Sequence, residues 1–401
     1  MLGFINKTAN RLLEQEKHRK NEMLKVAVIE KSEELPTNGY TLPDEGTLTF
    51  TADVLDMMYM DPQTLIEPTI NCYYYNSCVC VYNDKYRLFY RCGKNPKTCE
   101  DRIATCLLTK DFKVVPNTNK YVNVFSNWQA SRDAGPDSLD RHIRYYYHET
   151  KEVKSFIYKD GQHVEDPRVI EFQGHWYMLY TDGMTMAVAK LDYDTCDVIY
   201  SHFLPVPTSN LLSKQFDGRE KNWIPVVSNN ALYILYSDTP RTFIRCVDAG
   251  THLQLNKYNK LNYVVMWHYG AIRGGCPPIE YDRDSLIWFF HSSKEVYHNI
   301  SIQNSKIYFI GAYITSKEYP FHIYQITKFP IFFGTPSPLR QGMSYQTNVV
   351  FPCGAVCVGN DFVISMGIND YCIGHLKVKR EEILWKPFEK HLTHLNVTTL
   401  S

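Results

Sequence analysis

One two-part unit recurs five times along this chain. Each copy has a short apolar run, a polar turn, and an alternating aromatic run that ends on or near a polar residue. The copies are CVCVYNDKYRLFYR (78–91), RVIEFQGHWYMLYT (168–181), IPVVSNNALYILYS (224–237), PPIEYDRDSLIWFFH (277–291) and GAVCVGNDFVISMG (354–367). Asn83-Asp84, Gln173-Gly174, Asn229-Asn230, Arg283-Asp284 and Gly359-Asn360 stand at mid-unit, and turn residues between period-two runs specify β-hairpins. A lone hairpin cannot bury both faces. Sheets repeated around an axis can, and they leave only short edges. The copies lie on the order of 55–90 residues apart, room for about four strands each. The fold class predicted is therefore all-β: a five-bladed β-propeller over residues 66–385. A β-sandwich would not explain a repeated hairpin with the same class of polar residue at each end.

The ends read differently. Residues 4–34 carry a broken apolar stripe (Leu12, Leu13, Leu24, Val28) among Lys, Arg and Glu, with Thr8 or Asn10 as N-cap. They predict an N-terminal helical extension, which with the Pro- and Gly-bearing linker 35–48 makes up a segment 1–65. That helix packs on the body or serves as a homo-oligomer contact. At the other end, Glu381–Trp385 reads as a short helix and 386–401 as a polar C-terminal tail.

Composition narrows the function. The formal net charge is +0, which lacks the basic footprint of a nucleic-acid binder. The twelve cysteines form no paired CxxC zinc pattern, and most sit in apolar runs, as free buried thiols do. No metal centre and no cofactor is expected. The N-terminus lacks the basic and apolar regions of a secretory signal, and no run is apolar enough to span a bilayer. A cytoplasmic chain without a membrane partner is the expectation, with the sequons at Asn6, Asn299 and Asn396 as chance matches. Neither a Walker nor a Rossmann glycine loop is present.

Propeller blades aim equivalent strand ends at one face, so equivalent positions should meet. Counting back fifteen residues from Arg91, Thr181, Ser237 and His291 gives Asn76, Asp166, Asn222 and Cys276. Glu165-Asp166-Pro167-Arg168 places two carboxylates at a strand entry, where Pro, lacking a donor, is tolerated and fixes the preceding Asp. A carboxylate held at a channel mouth suits general acid work, although the string alone also reads as a turn with an ion pair to Arg168. Lys221-Asn222-Trp223 offers a cation, an amide and an indole able to stack on a pyranose. Arg273 stands beside the permissive Gly274-Gly275, and Asp370 in GINDYC can accept from sugar hydroxyls. Singly, each of these loops is unremarkable.

In order, NSCVCVYNDKYRLFYR, HVEDPRVIEFQGHWYMLYT, the GGCPPIEY to LIWFFHSS block, YFIGAYITSKEYPFHIYQITKFPI and VVFPCGAVCVGNDFVISMGINDYCIG resemble glycoside hydrolase family 130. That family comprises five-bladed β-mannoside phosphorylases and hydrolases, with related β-mannosyltransferases. The resemblance implies Asp166 as general acid in an inverting reaction, its proton relayed through a mannose hydroxyl. It implies phosphate as co-substrate near Arg91, Lys221 and His291. A mannoside or oligosaccharide would lie against Arg91, Glu165, Asn222, Trp223, Arg273 and Asp370, the last gripping the terminal sugar. Two departures weaken phosphorolysis: TDGMTMAVAKL has no Arg after the second-blade strand, and KNWIPV replaces a Lys-Asp pair.

The expected activity is phosphorolysis of a β-mannosidic bond to give mannose 1-phosphate. A nucleotide-sugar β-mannosyltransferase and a non-catalytic glycan-binding propeller are the alternatives. Inverting hydrolysis would need a second carboxylate, for which Glu165, Asp182, Asp238 and Asp370 are candidates.

Overall fold

The computed structural model describes residues 57–66, 72–94, 100–124, 142–147, 152–157, 164–181, 185–204, 220–296, 305–334 and 348–392. The helix expected over 4–34 and the linker 35–48 lie outside these residues, as do Asp182 and the end of the tail.

The chain is a five-bladed propeller of antiparallel sheets. A short strand β1 (Met57–Tyr59) comes first. The first blade holds β2 (Cys72–Tyr82), β3 (Lys85–Lys94), β4 (Glu100–Leu108) and β5 (Lys120–Tyr121). A separate hairpin of β6 (His142–Tyr147) and β7 (Glu152–Ile157) follows. The second blade is β8 (Glu165–Phe172), β9 (His175–Thr181), β10 (Met186–Asp192) and β11 (Val198–Phe203). The third is β12 (Ile224–Ser228), β13 (Ala231–Asp238), β14 (Arg241–Asp248) and β15 (Leu253–Lys260), and β16 (Tyr263–Val264) comes after it. The fourth is β17 (Ile279–Glu280), β18 (Ser285–Val296), β19 (Ser305–Ser316) and β20 (Ile323–Thr327), with β21 (Phe332–Phe333) beside β19. The fifth is β22 (Val350–Val358), β23 (Asp361–Ile368) and β24 (Cys372–Lys379), and β1 completes it by pairing Met57 with Leu376 and Tyr59 with Gly374.

Three strand pairings reach across the expected boundaries at 65/66 and 385/386. Met57–Tyr59, assigned to the N-terminal extension, is the outer strand of the last blade. The helix expected at Glu381–Trp385 is one 3-10 turn, Arg380–Glu382, followed by β25 (Trp385–Pro387) on the edge of β20. Beyond it β26 (His391–Leu392) pairs with β16, so the C-terminal segment links the connection that follows the third blade to the edge of the fourth. Strands of two or three residues carry no readable period, which is why the pattern missed them.

The period-two runs explain the packing. Along β9, Trp176, Met178 and Tyr180 point into an apolar layer against the first blade, while Tyr177 and Leu179 point into another against the third. Each sheet is apolar on both faces in this way. Five apolar clusters result, one in each gap between neighbouring blades. Removing one large ring, as in Trp176→Ala, is expected to cost about 3–5 kcal/mol.

Four of the five units turn in two residues, between Tyr82 and Lys85, Phe172 and His175, Ser228 and Ala231, and Val358 and Asp361. Positive φ at Asn83, Gln173, Gly174, Asn229, Asn230 and Gly359 fits hairpin turns. The fourth differs: Tyr281–Asp284 form a four-residue loop, in which Asp282 Oδ1 accepts the Asp284 N–H at 2.9 Å. These turns share one end of the propeller. The starts of the inner strands β2, β8, β12 and β22 share the other.

Candidate active site

At that second end the backbone departs from ideal pairing. The β2–β3 register shifts between Tyr75 and Cys78, and the β8–β9 register between Glu165 and Arg168. Asn76, Asp166 and Asn222 all have positive φ, of 47°, 57° and 67°. Asn and Asp visit this left-handed region more readily than other non-glycine residues, and a bulge re-aims the side chain it carries. The fifteen-residue register thus finds three equivalent polar positions. Cys276, the fourth, is buried in the apolar layer between the fourth and fifth blades.

Asp166 is 5% exposed. Its Oδ1 accepts from Asn76 Nδ2 at 2.7 Å and faces Arg91 Nη1 at 3.4 Å. Arg91, at the axial end of β3, is held on three sides. Nε and Nη2 fork Asp101 at 3.0 and 2.7 Å, and Nη2 also reaches Glu165 at 3.0 Å. The Tyr75 ring lies 4.6 Å beneath the guanidinium. Burial would lower the pKa of Arg91, but Asp101 and Glu165 outweigh it and hold the group well above its usual range. Of five N–H donors, one on Nη1 is left to the site.

Glu165 also accepts Lys221 Nζ at 2.8 Å. Burial lowers the pKa of Lys221 and Glu165 raises it, with a net upward shift. Arg168 does not pair with the Asp166 carboxylate. Its guanidinium, 1% exposed, bonds the carbonyls of Gly275 (2.8 Å), Asp166 (3.2 Å) and Gly274 (3.4 Å) and the Asn222 amide oxygen (3.0 Å). It ties the second blade to the third and fourth, and its charge meets amide oxygens rather than a carboxylate.

His291 is 2% exposed, packed by Phe351 at 4.5 Å and Tyr308 at 6.1 Å between centroids. Burial, then the charges of Arg168 and Arg273, push its pKa well below the usual value, so the ring is neutral near pH 7. Arg273 is exposed, and its backbone bridges that of His291. Asp370 is half-buried in a left-handed turn, and its charge acts on the hydroxyls of both Tyr75 and Tyr308. It therefore lies at the same end as Asp166.

Two expected residues lie elsewhere. Trp223 is 1% exposed in the apolar layer between the second and third blades, its N–H on Glu220 at 3.1 Å, so it presents no face to a sugar. Asp238 is buried with Arg241 and Tyr313 between the third and fourth blades, which removes it as a second carboxylate. Asp101 belongs to no motif in the sequence, and Arg168, which the sequence offers as an ion-pair partner in a turn, holds amide oxygens instead. The signal for Asp101 is its place opposite Gly93, two residues from Arg91 on the neighbouring strand. Among the described residues no group of three or more His, Cys, Asp or Glu is placed to hold a metal, and no helix is long and apolar enough to cross a membrane.

Comparison with known proteins follows the same lines. The profile of a family described as beta-1,4-mannooligosaccharide phosphorylase (Glyco_hydro_130) matches residues 67–386. A glycosyl hydrolase from Bacteroides ovatus superposes with TM-score 0.52 at 15% identity, covering 79% of this chain and 87% of its own. A structure from the GH130 family of mannoside phosphorylases, described as containing hydrolases that target beta-1,2 mannosidic linkages in Candida mannan, gives 0.51 at 13%, covering 79% and 86%. The beta-1,2-mannobiose phosphorylase of Listeria innocua gives 0.46 at 15%, covering 81% and 95%. The first two likenesses bear on the fold. No curated protein matches the chain.

Proposed function

The chain belongs to glycoside hydrolase family 130, a family of β-mannoside phosphorylases and hydrolases, and from that premise we propose that it cleaves a β-mannosidic bond by inverting phosphorolysis with Asp166 as general acid. The observation that carries this is Asp166 itself: a buried carboxyl on a left-handed bulge, steadied by Asn76 and by one edge of Arg91. In the reaction the bond from the mannosyl anomeric carbon to the leaving oxygen breaks. A phosphate oxygen bonds that carbon from the opposite face. Asp166 supplies the proton to the leaving oxygen through a mannose hydroxyl, which suits an acid with little direct exposure. The products are mannose 1-phosphate and the shortened sugar.

The charges support an anionic co-substrate. Asp101, Glu165, Asp166 and Asp370 face Arg91, Arg168, Lys221 and Arg273, so a protonated Asp166 leaves one positive charge in excess. Lys221, half-exposed, and Arg273 are the residues best placed to receive phosphate. His291 would add a neutral polar contact, and Arg91 its last N–H. Asp370 and Asn222 would take sugar hydroxyls. The test is mannose 1-phosphate release from β-1,2- and β-1,4-mannobiose with and without inorganic phosphate. Release only with phosphate is expected, and sugar release without it would replace phosphorolysis by hydrolysis.

The commitment of Arg91 to three carboxylates, with no Arg in TDGMTMAVAKL, favours a second reading, transfer of mannose from a nucleotide sugar. Elongation of an oligomannoside by GDP-mannose, with no phosphorolysis, would establish it.

A further inference from the structure

A guanidinium beside a general acid is a hazard. An opposite charge within about 4–6 Å favours the carboxylate form, and a full bidentate pair would turn the acid into a buried salt bridge. Arg91 stands in that position toward Asp166, yet only Nη1 meets it, at 3.4 Å. The Nε–Nη2 edge, which could fork a carboxylate, is already taken by Asp101.

This grip is built into the sheet. Asp101 stands directly opposite Gly93 in the β3–β4 ladder, and Arg91 lies two residues back on the same face. To reach Arg91 the carboxylate leans across position 93. A Cβ there would lie 2.7 Å from Asp101 Oδ1, so glycine leaves the room it needs. Tyr75 holds the arrangement from below, its ring under the guanidinium and its hydroxyl 3.4 Å from the same Oδ1.

We propose that Asp101 is a positioning residue: it engages the forked edge of Arg91 and offsets its charge, so that Arg91 orients Asp166 through one long contact without closing a bidentate ion pair on it. The proposal rests on the reading of Asp166 as the acid. The groups facing Asp166 are Asn76 from β2, Arg91 from β3, Glu165 and the backbone-bound Arg168 from β8, Lys221 ahead of β12, and the Cys353 thiol from β22. Lys221 is paired with Glu165 and Arg168 with amide oxygens. Glu165 also meets Arg91 but is shared with Lys221, so Asp101 is the carboxylate whose loss bears on Arg91 without also releasing Lys221.

The substitution is Asp101→Asn, which keeps the shape and removes the charge. Its first readout needs no turnover: the Arg91 Nε–H signal in nitrogen-15 NMR, assigned with Arg91→Lys. It should be protected from solvent exchange in the wild type and lose that protection in D101N. In phosphorolysis, D101N should lower kcat about 10- to 100-fold with KM for phosphate little changed. The deficit should shrink as the pH is lowered, because a guanidinium freed of one carboxylate favours the charged form of the acid beside it. Unchanged protection and kcat would overturn the proposal. So would a deficit equal at every pH, the mark of a merely structural role. Gly93→Ala, which presses on Asp101 without altering any charge, should give a smaller effect of the same kind and serves if D101N does not fold. If the wild type turns over no β-mannoside, the functional reading falls while the Arg91 signal still decides on the clamp. Turnover without the clamp signature leaves the functional reading standing.

Discussion

Arg91 and Arg241 are both guanidiniums drawn out of water onto aromatic faces, and they have opposite surroundings. Arg91 meets three carboxylates, one ring and the open end of the axis. Arg241 is fully buried with one carboxylate, Asp238, the Tyr313 hydroxyl at 3.0 Å, and the rings of Phe243, Trp288 and Tyr313 within 5.5 Å. A one-to-one pair in an aromatic shell is enough to hold blades together. Carboxylates in excess of what neutralises a cation are costly to assemble, and they remain where a proton has to be moved.

The largest effect that could break this contrast is at the acid. Asp166→Asn should lower turnover by a factor on the order of 10²–10⁴ while melting like the wild type. Full activity in that variant would reduce the Arg91 cluster to a second structural knot. Asp238→Asn should do the reverse, costing about 3–5 kcal/mol of stability by stranding Arg241, with kcat of the folded protein unchanged.

A smaller test uses a buried base with no charged partner. His375, on β24 opposite Met58 of β1, is packed against Phe112, and burial pushes its pKa down to about 4. The unfolded chain takes up this proton near pH 6.5 and the folded one does not, so stability should fall as the pH drops from 6.5 through 4, by about 3 kcal/mol. His375→Gln should flatten that part of a melting-temperature profile. The smallest effect belongs to the exposed turns. Asn230→Gly keeps a residue suited to positive φ and should change stability by no more than about 0.5 kcal/mol with activity intact.

The hairpins, the blade number and the convergence of Asn76, Asp166 and Asn222 were legible because each follows from a local repeat. Asp166 was the more legible for the proline after it. What was hidden depends on partners distant in sequence. Trp223 looked like a stacking platform, but the side it faces is decided by the second blade. Asp238 looked like any strand-end carboxylate until Tyr313, from the next blade, closed over it. Asp101 belongs to no motif. Its role exists only because glycine stands opposite it and an arginine lies one diagonal away. Short strands such as β1 escape any periodicity.

That last strand sets an order of events during synthesis. Met57–Tyr59 leaves the ribosome before any blade, yet its ladder is with β24, among the last strands to appear. Four blades can gather before its partner strand exists, and the fifth blade has its fourth strand only when β24 returns to it. Contacts so far apart in sequence slow folding and lengthen exposure to wrong partners. A chain halted before β24 would already carry Arg91, Asp101 and Asp166, with its fifth blade still short of the β23–β24–β1 ladders.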